Sequence, residues 1–371
     1  MLKKRICHLS TVHPLFDTRI FQKECKSLVN AGYKVHLIIQ NDKDENIEGI
    51  YLHSLPKPKN RIERLRKLRK LAYKKAIEIN VDIYHFHDPE LIPIGLKLKK
   101  LGKKVIYDVH EDVPRQILTK PYLNKFIKPI ISKMFEIYEN YASKKFDAIV
   151  TATPHIRDRF LKINRNTIDI NNFPKLEELY EPVKWEDRKN EICYIGGITR
   201  IRGIVELIKA LEYVDTTLHL AGNFESEELK KEVMGLPGWE KVKYYGFVNR
   251  EKVKDILKQV KIGIVTFYPL PNHVSAQPNK LFEYMSAGIP VIASKFPLWQ
   301  DIVEKNKCGV CVDPLNPKEI ADVINYLLSN NEIAKEFGEN ARNLIETKYN
   351  WENEEKKLIK LYKNLLDFEE V

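Results

Sequence analysis

The chain has few cysteines and no long apolar run. Its 371 residues include five cysteines, an odd number scattered along the sequence rather than spaced as a disulfide framework. No apolar stretch is long enough to cross a bilayer. The first residues lead into a strand-like segment without the hydrophobic core of a signal peptide. The sequence therefore predicts a globular protein in the cytoplasm.

Signals for a metal site are also scarce. Cys308 and Cys311 have C-x-x-C spacing, and His85, His87 and Asp88 form an H-x-H-D segment. No second cysteine pair and no further ligand motif accompanies either segment. The cysteines are interpreted as buried structural residues, and the sequence predicts no metal and no other cofactor.

Positive charge is abundant. The formal net charge of +11 calls for an acidic partner, such as nucleic acid, anionic lipid or a phosphorylated substrate. Two segments, 61–76 and 120–135, combine basic residues with apolar residues at helical spacing. An anionic membrane surface and an ordinary solvated helix explain these segments equally well. Nucleic acid is not predicted, because no recognised binding motif accompanies the charge.

Short apolar runs alternate with helical patterns over nearly the whole chain. The strand candidates of the first half are 5–10, 34–40, 51–55, 82–87, 104–110, 148–152 and 167–170. The pattern lapses over 173–188, and further candidates follow at 191–195, 217–221, 242–245, 262–267, 290–294 and 309–312. This alternation predicts two doubly wound, parallel-sheet α/β domains, residues 1–175 and 190–348. A helix within 349–371 is expected to pack back on the first domain.

In open parallel sheets, ligands bind where loops follow the carboxyl ends of the strands. Gly196, Gly197, Arg200 and Arg202 lie between the strand 191–195 and the next helix. Glycines allow a close backbone approach to a ligand, and arginines suit phosphate oxygens. An ordinary strand-to-helix turn with surface arginines explains this loop nearly as well.

A second candidate segment follows the strand 262–267. Lys280 and Glu283 lie three residues apart at the start of a helix, after Pro278, so both can reach one face. A carboxylate there can accept hydrogen bonds from a ribose diol, and the lysine can bind a phosphate. Taken alone, the pair is better interpreted as an exposed ion pair on a helix.

A family resemblance gives these segments a common meaning. The sequence PNKLFEYMSAGIPVIA, from Pro278 to Ala293, resembles the donor-site signature of the family 4 glycosyltransferases, which are retaining enzymes of the GT-B fold. Residues 196–203 resemble the phosphate loop of that family. Residues 13–20 and 85–88 resemble a subset of its members that build polysaccharides. The resemblance implies two facing Rossmann-like domains with a cleft between them.

The resemblance also implies a donor site. Its residues would be Gly196, Gly197, Arg200, Arg202, Ser275, Asn279, Lys280, Leu281 and Glu283, with Glu283 on the donor ribose. Ser275 stands where the family has the first of two glutamates, and Gly197 and Arg202 stand where it has an arginine and a lysine. We hypothesise that Arg200 or Lys280 supplies the positive charge that is missing at Gly197.

His110 matches the family histidine that faces the reacting sugar. The residues expected to act in catalysis are therefore His110, Arg202 and Lys280. Without the resemblance, a histidine satisfied at a strand end is the better interpretation of His110. The acceptor side is predicted to include Asp17, Arg19, His87 and Asp88.

Together these features predict a retaining glycosyltransferase that uses a nucleotide diphosphate sugar, with uridine favoured. Its acceptor would be a glycan or a polyprenyl-linked sugar in capsule or lipopolysaccharide synthesis, at the inner face of the membrane. No metal would be needed, because cationic side chains and helix amino termini can stabilise the leaving diphosphate. Two alternatives remain: a nucleotide-sugar epimerase of similar fold, and a non-catalytic, membrane-associated protein that has kept the fold.

Overall fold

The computed structural model describes residues 3–120 and 123–367. The chain divides into two compact units. The first comprises Met1–Asn172 together with Asn353–Val371, and the second comprises Phe173–Glu352. Residues 121 and 122 of the basic segment 120–135, and residues 368–371 of the expected last helix, lie outside the described residues.

A parallel sheet with one antiparallel edge strand forms the centre of the first unit. Over the described residues its strands are β1 (Arg5–Leu9), β2 (Lys34–Gln40), β3 (Glu45–Ile47), β4 (Ile50–Leu55), β5 (Ile83–Phe86), β6 (Lys104–Val109), β7 (Ala148–Thr151) and β8 (Thr167–Asp169). Their spatial order is β3-β4-β2-β1-β5-β6-β7-β8, and among these strands of the described chain only β3 runs antiparallel to its neighbour. β5 and β7 are buried along their whole length, as expected for strands covered on both faces.

Helices connect these strands. They are α1 (Lys26–Asn30), α2 (Arg61–Glu63), α3 (Arg69–Ile79), α4 (Ile92–Lys100), α5 (Val113–Thr119), α6 (Lys128–Ser143) and α7 (Pro154–Leu161). Two π-helical segments, Ile20–Cys25 and Arg64–Leu68, lead directly into α1 and α3, and Pro89–Leu91 is a 3₁₀ turn. The Thr153 side chain caps α7 by accepting a hydrogen bond from the Ile156 N–H.

The second unit holds a fully parallel sheet. Within the described chain its strands are β9 (Ile192–Ile195), β10 (Leu218–Ala221), β11 (Val242–Gly246), β12 (Ile262–Val265), β13 (Val291–Ser294) and β14 (Gly309–Val312). They lie in the order β11-β10-β9-β12-β13-β14. Before β9, residues 173–184 form neither helix nor strand, where the apolar pattern of the sequence lapses.

The helices of the second unit lie between and after these strands. They are α8 (Ile204–Ala210), α9 (Glu227–Met234), α10 (Arg250–Gln259), α11 (Asn279–Ser286), α12 (Pro297–Val303), α13 (Pro317–Ser329) and α14 (Asn331–Thr347). Short 3₁₀ segments occur at Trp185–Asp187, Arg200–Arg202, Leu211–Tyr213 and Pro237–Lys241.

The last helix, α15 (Trp351–Asp367), begins at the end of the second unit and continues into the first. Its residues Leu358 and Tyr362 are fully buried. The Tyr362 hydroxyl lies 2.7 Å from Nδ1 of His85, at the end of β5. The helix therefore supplies core residues to the first unit.

The order of strands reverses once in each sheet, between β1 and β5 and between β9 and β12. At such a point neighbouring connections leave the sheet on opposite faces and open a crevice at the carboxyl edge. The loops after these four strands contain most of the site residues expected from the sequence. The prediction of two doubly wound α/β domains is confirmed; the antiparallel edge strand β3 is an addition that the sequence pattern did not indicate.

All five cysteines are buried and free, so the C-x-x-C pair belongs to the core. Within the described residues, no helix has both the length and the apolar character needed to span a membrane.

Candidate active site

In the second unit, a glycine loop follows β9 and packs against the segment that follows β12. Gly203 has φ +77°, and a Cβ there would lie 1.9 Å from the Thr266 carbonyl oxygen, so the loop can lie this close only with glycine. The Tyr268 N–H also donates to the Ile201 carbonyl over 2.9 Å. These contacts hold the loop 196–203 at the strand-order reversal.

Lys280 extends from the first turn of α11 to the same loop. A Cβ on Gly196 would lie 3.6 Å from its Nζ, and the ammonium lies 3.5 Å from the centre of the Tyr194 ring. The side chain is 6% exposed, and within the described chain its Nζ has no hydrogen-bond partner. Burial, together with the charge of Arg202, lowers the pKa of Lys280 well below the usual lysine range. The loop thus faces a buried amine that no carboxylate binds and whose ammonium form an anion would stabilise.

Arg202 adds a second positive charge at this loop. Its Nη1 donates to the Gly197 carbonyl over 3.5 Å, and its guanidinium lies 5.4 Å from the centre of the Phe267 ring. A Cβ on Gly197 would lie only 2.9 Å from Nη1. The glycine therefore leaves the space that the guanidinium occupies.

Arg200 points away from these cations. Its guanidinium is paired with Glu232, and the side chain is 46% exposed. Of the two residues that were expected to supply the charge missing at Gly197, Lys280 lies beside Gly196, whereas the guanidinium of Arg200 is paired with Glu232.

Glu283, on α11, is paired with Arg250 at the start of α10. Arg250 Nη1 donates to Glu283 Oε1 over 2.7 Å, and Arg250 Nε donates to Glu178 over 2.8 Å. Arg250 is not among the site residues expected from the sequence. Its position at the start of a helix, a few residues after the predicted strand 242–245, is the signal that could have found it.

The other expected donor residues occupy different environments. Ser275 is half-buried in the turn before α11, and Asn279 is exposed at the first position of that helix. Leu281 is fully buried among the apolar side chains of the core, so its side chain does not reach the surface near the loop.

In the first unit, the expected acceptor residues lie at the reversal between β1 and β5, and most are interior. Arg19 is buried and forms a double hydrogen bond with Asp108, Nε to Oδ2 at 3.1 Å and Nη2 to Oδ1 at 2.9 Å. Burial alone would raise the pKa of Asp108, but Arg19 and His110 hold it well below its usual range. Asp17 accepts hydrogen bonds from the Arg19 and Ile20 N–H groups and so fixes the start of the π-helical segment.

Asp88 is also buried, and it organises the loop that follows β1. It accepts hydrogen bonds from Thr11 N–H, from the Thr11 hydroxyl at 3.0 Å and from the Ser10 hydroxyl at 3.2 Å. His13 Nδ1 lies 3.1 Å from the same carboxylate, which raises the pKa of His13 against the effect of burial. Asp88 therefore holds His13, which is partly exposed and is not among the site residues expected from the sequence.

His110 is partly exposed, with 19% of its side chain accessible. Its Nε2 lies 3.3 Å from Asp108 Oδ2 and 3.1 Å from Nδ1 of His87, and its ring centre lies 4.8 Å from that of His13. His87 itself is buried behind this pair. His110 and His13 thus present the accessible imidazoles, while Asp108, Asp88 and His87 support them from within.

Two doubly wound α/β domains with polar residues at each strand-order reversal are the architecture that the resemblance to GT-B glycosyltransferases predicts. The protein-family models agree: residues 177–344 match glycosyl transferases group 1, and residues 19–170 match Glycosyltransferase Family 4. The chain belongs to this family of glycosyltransferases and is a transferase of the hexosyl type.

Curated relatives and solved structures support the same assignment. The chain is 28% identical to an uncharacterised glycosyltransferase of Methanocaldococcus jannaschii over 91% of both chains. It is 25% identical to the capsular polysaccharide biosynthesis glycosyltransferase CapM of Staphylococcus aureus over 47% of this chain and 46% of that protein.

Among solved structures, sucrose-phosphate synthase from Thermosynechococcus elongatus superimposes with a TM-score of 0.80 at 18% identity, over 98% of this chain and 100% of that one. Anabaena HepE in complex with UDP-glucose gives 0.73 at 15% identity, over 97% and 99%. At these identities, the structures establish the shared fold.

Proposed function

We propose that the protein transfers a sugar from a UDP-sugar to a glycan or lipid-linked acceptor, with retention of anomeric configuration, in the synthesis of a cell-surface polysaccharide. The observation that carries the proposal is the pair of basic side chains, Lys280 and Arg202, at the glycine loop. Lys280 is buried beside Gly196 without a hydrogen-bond partner in the described chain, and Arg202 lies against Gly197. A diphosphate would supply the anion that both side chains lack.

The donor site is proposed to work without a metal ion. Lys280 and Arg202 would neutralise the charge that develops on the leaving diphosphate, together with the N–H groups of the glycine loop. Glu283, positioned by Arg250, would accept hydrogen bonds from the ribose diol. The Anabaena HepE structures contain UDP and UDP-glucose, and this supports uridine as the base.

The first unit is proposed to bind the acceptor through its accessible surface at His110 and His13. In a retaining transfer of this family, the bond from the anomeric carbon to the phosphate oxygen breaks as the acceptor oxygen bonds to the same face of that carbon. The departing phosphate takes the acceptor proton, so atoms and charge balance without a covalent enzyme intermediate. Arg19, His87 and Asp88 are proposed to position the loop and the imidazoles rather than to touch the acceptor.

Contact with an anionic membrane surface is also proposed, and it rests on one of the two basic segments. In 61–76 the apolar residues Leu68, Ala72 and Ala76 are buried, which leaves a solvated basic face. Around α6, by contrast, Phe126, Ile130, Met134 and Ile137 are 58 to 81% exposed, and Lys125, Lys128 and Lys133 accompany them. An exposed apolar stripe bordered by lysines is typical of a helix that lies on anionic lipid.

The experiment that tests the donor site is thermal unfolding with UDP, GDP, ADP, CDP and dTDP, each with and without magnesium. A ligand at about a hundred times its dissociation constant adds about 2.7 kcal/mol of stability, which shifts the midpoint measurably. We expect UDP to raise the midpoint equally with and without magnesium. The proposal fails if no nucleotide shifts it. Release of free UDP from a UDP-sugar only when acceptor is present would then separate transfer from epimerisation.

A further inference from the structure

Three histidines and a glutamate meet inside the first unit, below the surface that carries His13 and His110. His8 lies on β1 and His85 on β5, where their register makes them direct neighbours. His87 follows β5, and Glu24 lies in the π-helical segment Ile20–Cys25. All four side chains are buried. Short π-helical segments occur frequently at functional sites, so this one suits a role in placing Glu24.

One ligand atom of each residue lies close to those of the other three. His8 Nδ1 lies 2.9 Å from His87 Nε2 and 3.8 Å from Glu24 Oε2, and His87 Nε2 lies 3.9 Å from that oxygen. The four atoms, including one from His85, lie within 4.8 Å of one another. Ligands around a tetrahedral zinc ion, with bonds near 2.0–2.1 Å, are separated by about 3.3 Å. The observed separations between ligand atoms, from 2.9 Å up to 4.8 Å, lie on both sides of this value.

The opposite nitrogen of each histidine is already held. His87 Nδ1 lies 3.2 Å from Asp108 Oδ2, which is the carboxylate–histidine arrangement that orients metal-binding imidazoles. His8 Nε2 lies 3.1 Å from the Tyr362 hydroxyl, and His85 Nδ1 lies 2.7 Å from the same oxygen. Every imidazole is therefore fixed by a second partner while its remaining nitrogen faces the centre.

Hydrogen bonding alone leaves this centre unsatisfied. Within the described residues, His85 Nε2 has no hydrogen bond and lies 3.7 Å from Asp108 Oδ2, and Glu24 Oε2 has no hydrogen bond either. Glu24 Oε1 lies 3.0 Å from Arg19 Nε as an ion pair, and the Glu24 carboxyl also has Asp108 as a close neighbour. Buried polar atoms without hydrogen bonds are rare and costly. Hydrogen bonding between the histidines accounts for the contact between His8 and His87, but it leaves His85 Nε2 and Glu24 Oε2 beside them without a hydrogen bond.

We propose that His8, Glu24, His85 and His87 bind a divalent cation of the zinc class. Three imidazole nitrogens and one carboxylate oxygen suit zinc, and they do not suit calcium or magnesium, which prefer oxygen ligands. The four ligands are buried, as in closed structural sites. Binding requires that His8 carries its ring proton on Nε2 and that His85 carries its ring proton on Nδ1. Tyr362 Oη then accepts a hydrogen bond from each of these N–H groups. The ion would tie β1, β5 and the π-helical segment together, and it is independent of the donor site in the second unit.

The test uses the full-length chain refolded with cobalt, because the closed site limits exchange in the folded state. We expect one cobalt per chain and the intense visible bands of tetrahedral coordination. Protein purified without added metal and dialysed against a chelator is expected to retain zinc by elemental analysis.

Variants assign the ligands. His85→Gln and Glu24→Gln are expected to lose the tetrahedral spectrum. Tyr362→Phe, which preserves packing, is expected to lower metal affinity about 10- to 100-fold. His36→Gln removes a histidine from a separate, partly buried pair in the same unit and is expected to keep the spectrum. A refolded wild-type protein with native circular dichroism but neither cobalt bands nor retained zinc would overturn the proposal, as would a spectrum unchanged in His85→Gln.

Discussion

At the scale of single residues, Lys280 is expected to lower the stability of the folded protein and to contribute to the binding of the diphosphate. A buried amine without a partner destabilises the folded protein, and its proposed value lies in the anion that it binds. Lys280→Met keeps the length of the side chain and removes the charge. We expect the free energy of unfolding to rise by about 1–3 kcal/mol and UDP affinity to fall about 10- to 100-fold.

Urea unfolding and calorimetric titration of UDP measure these two effects. Lys209→Met, at an exposed position of α8, is the matched control and should change neither quantity appreciably. A variant that is less stable and binds UDP as well as the wild type would show that Lys280 has a structural role instead.

A second residue-scale prediction concerns the histidine pair on neighbouring strands β2 and β4. His36 Nδ1 lies 2.9 Å from His53 Nε2, and burial lowers the pKa of His36 to about 4 and lowers that of His53. The charged or titratable groups near the pair are Arg5, Lys34, Asp44, Tyr51 and Lys75.

At neutral pH both histidines are uncharged in the folded state, and in the unfolded chain the same two side chains bind protons at about pH 6.5. Their contribution to stability is therefore complete above that pH and is lost as the pH falls toward about 4. Each histidine contributes up to about 1.4 kcal/mol per pH unit. His36→Gln should lose less stability between neutral and mildly acidic buffer than the wild type, as measured by urea unfolding. Equal losses in the two proteins would contradict the prediction.

At the scale of elements, α6 differs from the basic segment 61–76 in the exposure of its apolar residues. Several apolar residues of α6 are exposed to solvent, whereas Leu68, Ala72 and Ala76 are buried. Because Ile130 and Met134 are exposed, their replacement by serine should leave the free energy of unfolding nearly unchanged. The double variant Ile130→Ser/Met134→Ser should bind vesicles of phosphatidylglycerol about tenfold more weakly. Sedimentation with phosphatidylglycerol and phosphatidylcholine vesicles measures this. Ile62→Ser, which removes an exposed apolar residue from α2, should bind like the wild type; a double variant that also does so refutes the membrane contact.

The strands of both sheets could be predicted because buried parallel strands are continuous apolar runs. The expected strand 5–10 is observed as Arg5–Leu9, and 309–312 as Gly309–Val312. The edge strand β3 could not be predicted, since three residues with an exposed centre carry no periodicity. The direction of the exposed face of α6 also depends on tertiary packing, which the basic and apolar pattern of 120–135 does not determine.

The site was predictable where its residues are close in sequence. Gly196 to Arg202 and Lys280 to Glu283 form local patterns, and each follows a strand. The partners of these residues come from distant segments: Arg250 for Glu283, and His8 and Glu24 for the H-x-H-D histidines. Only the strand order brings such residues together, so the metal-ligand set was incomplete in the sequence and became complete in the fold.

At the scale of the whole molecule, each unit has its own hydrophobic core. One cluster joins β1, β5 and β6 with α3 and α4, and the clusters of the second unit draw only on residues 173–345. Both proposed ligands lie within single units: the diphosphate at the loop after β9, and the cation between β1 and β5. We therefore expect calorimetry to resolve two unfolding transitions that respond to different ligands.

UDP should raise the midpoint temperature of only one transition, that of the second unit, because the ligand binds this folded unit and stabilises it by mass action. In Lys280→Met the same UDP concentration should shift this midpoint less. Removal of metal with a chelator during refolding should lower only the other transition, and His85→Gln should reproduce that shift without the chelator. A single transition whose midpoint shifts with both ligands would show that the two units unfold together. If instead the midpoint of the first unit's transition is unchanged by the chelator, only the proposed cation site is contradicted. The two proposals can thus fail separately, and the same thermogram distinguishes which one has failed.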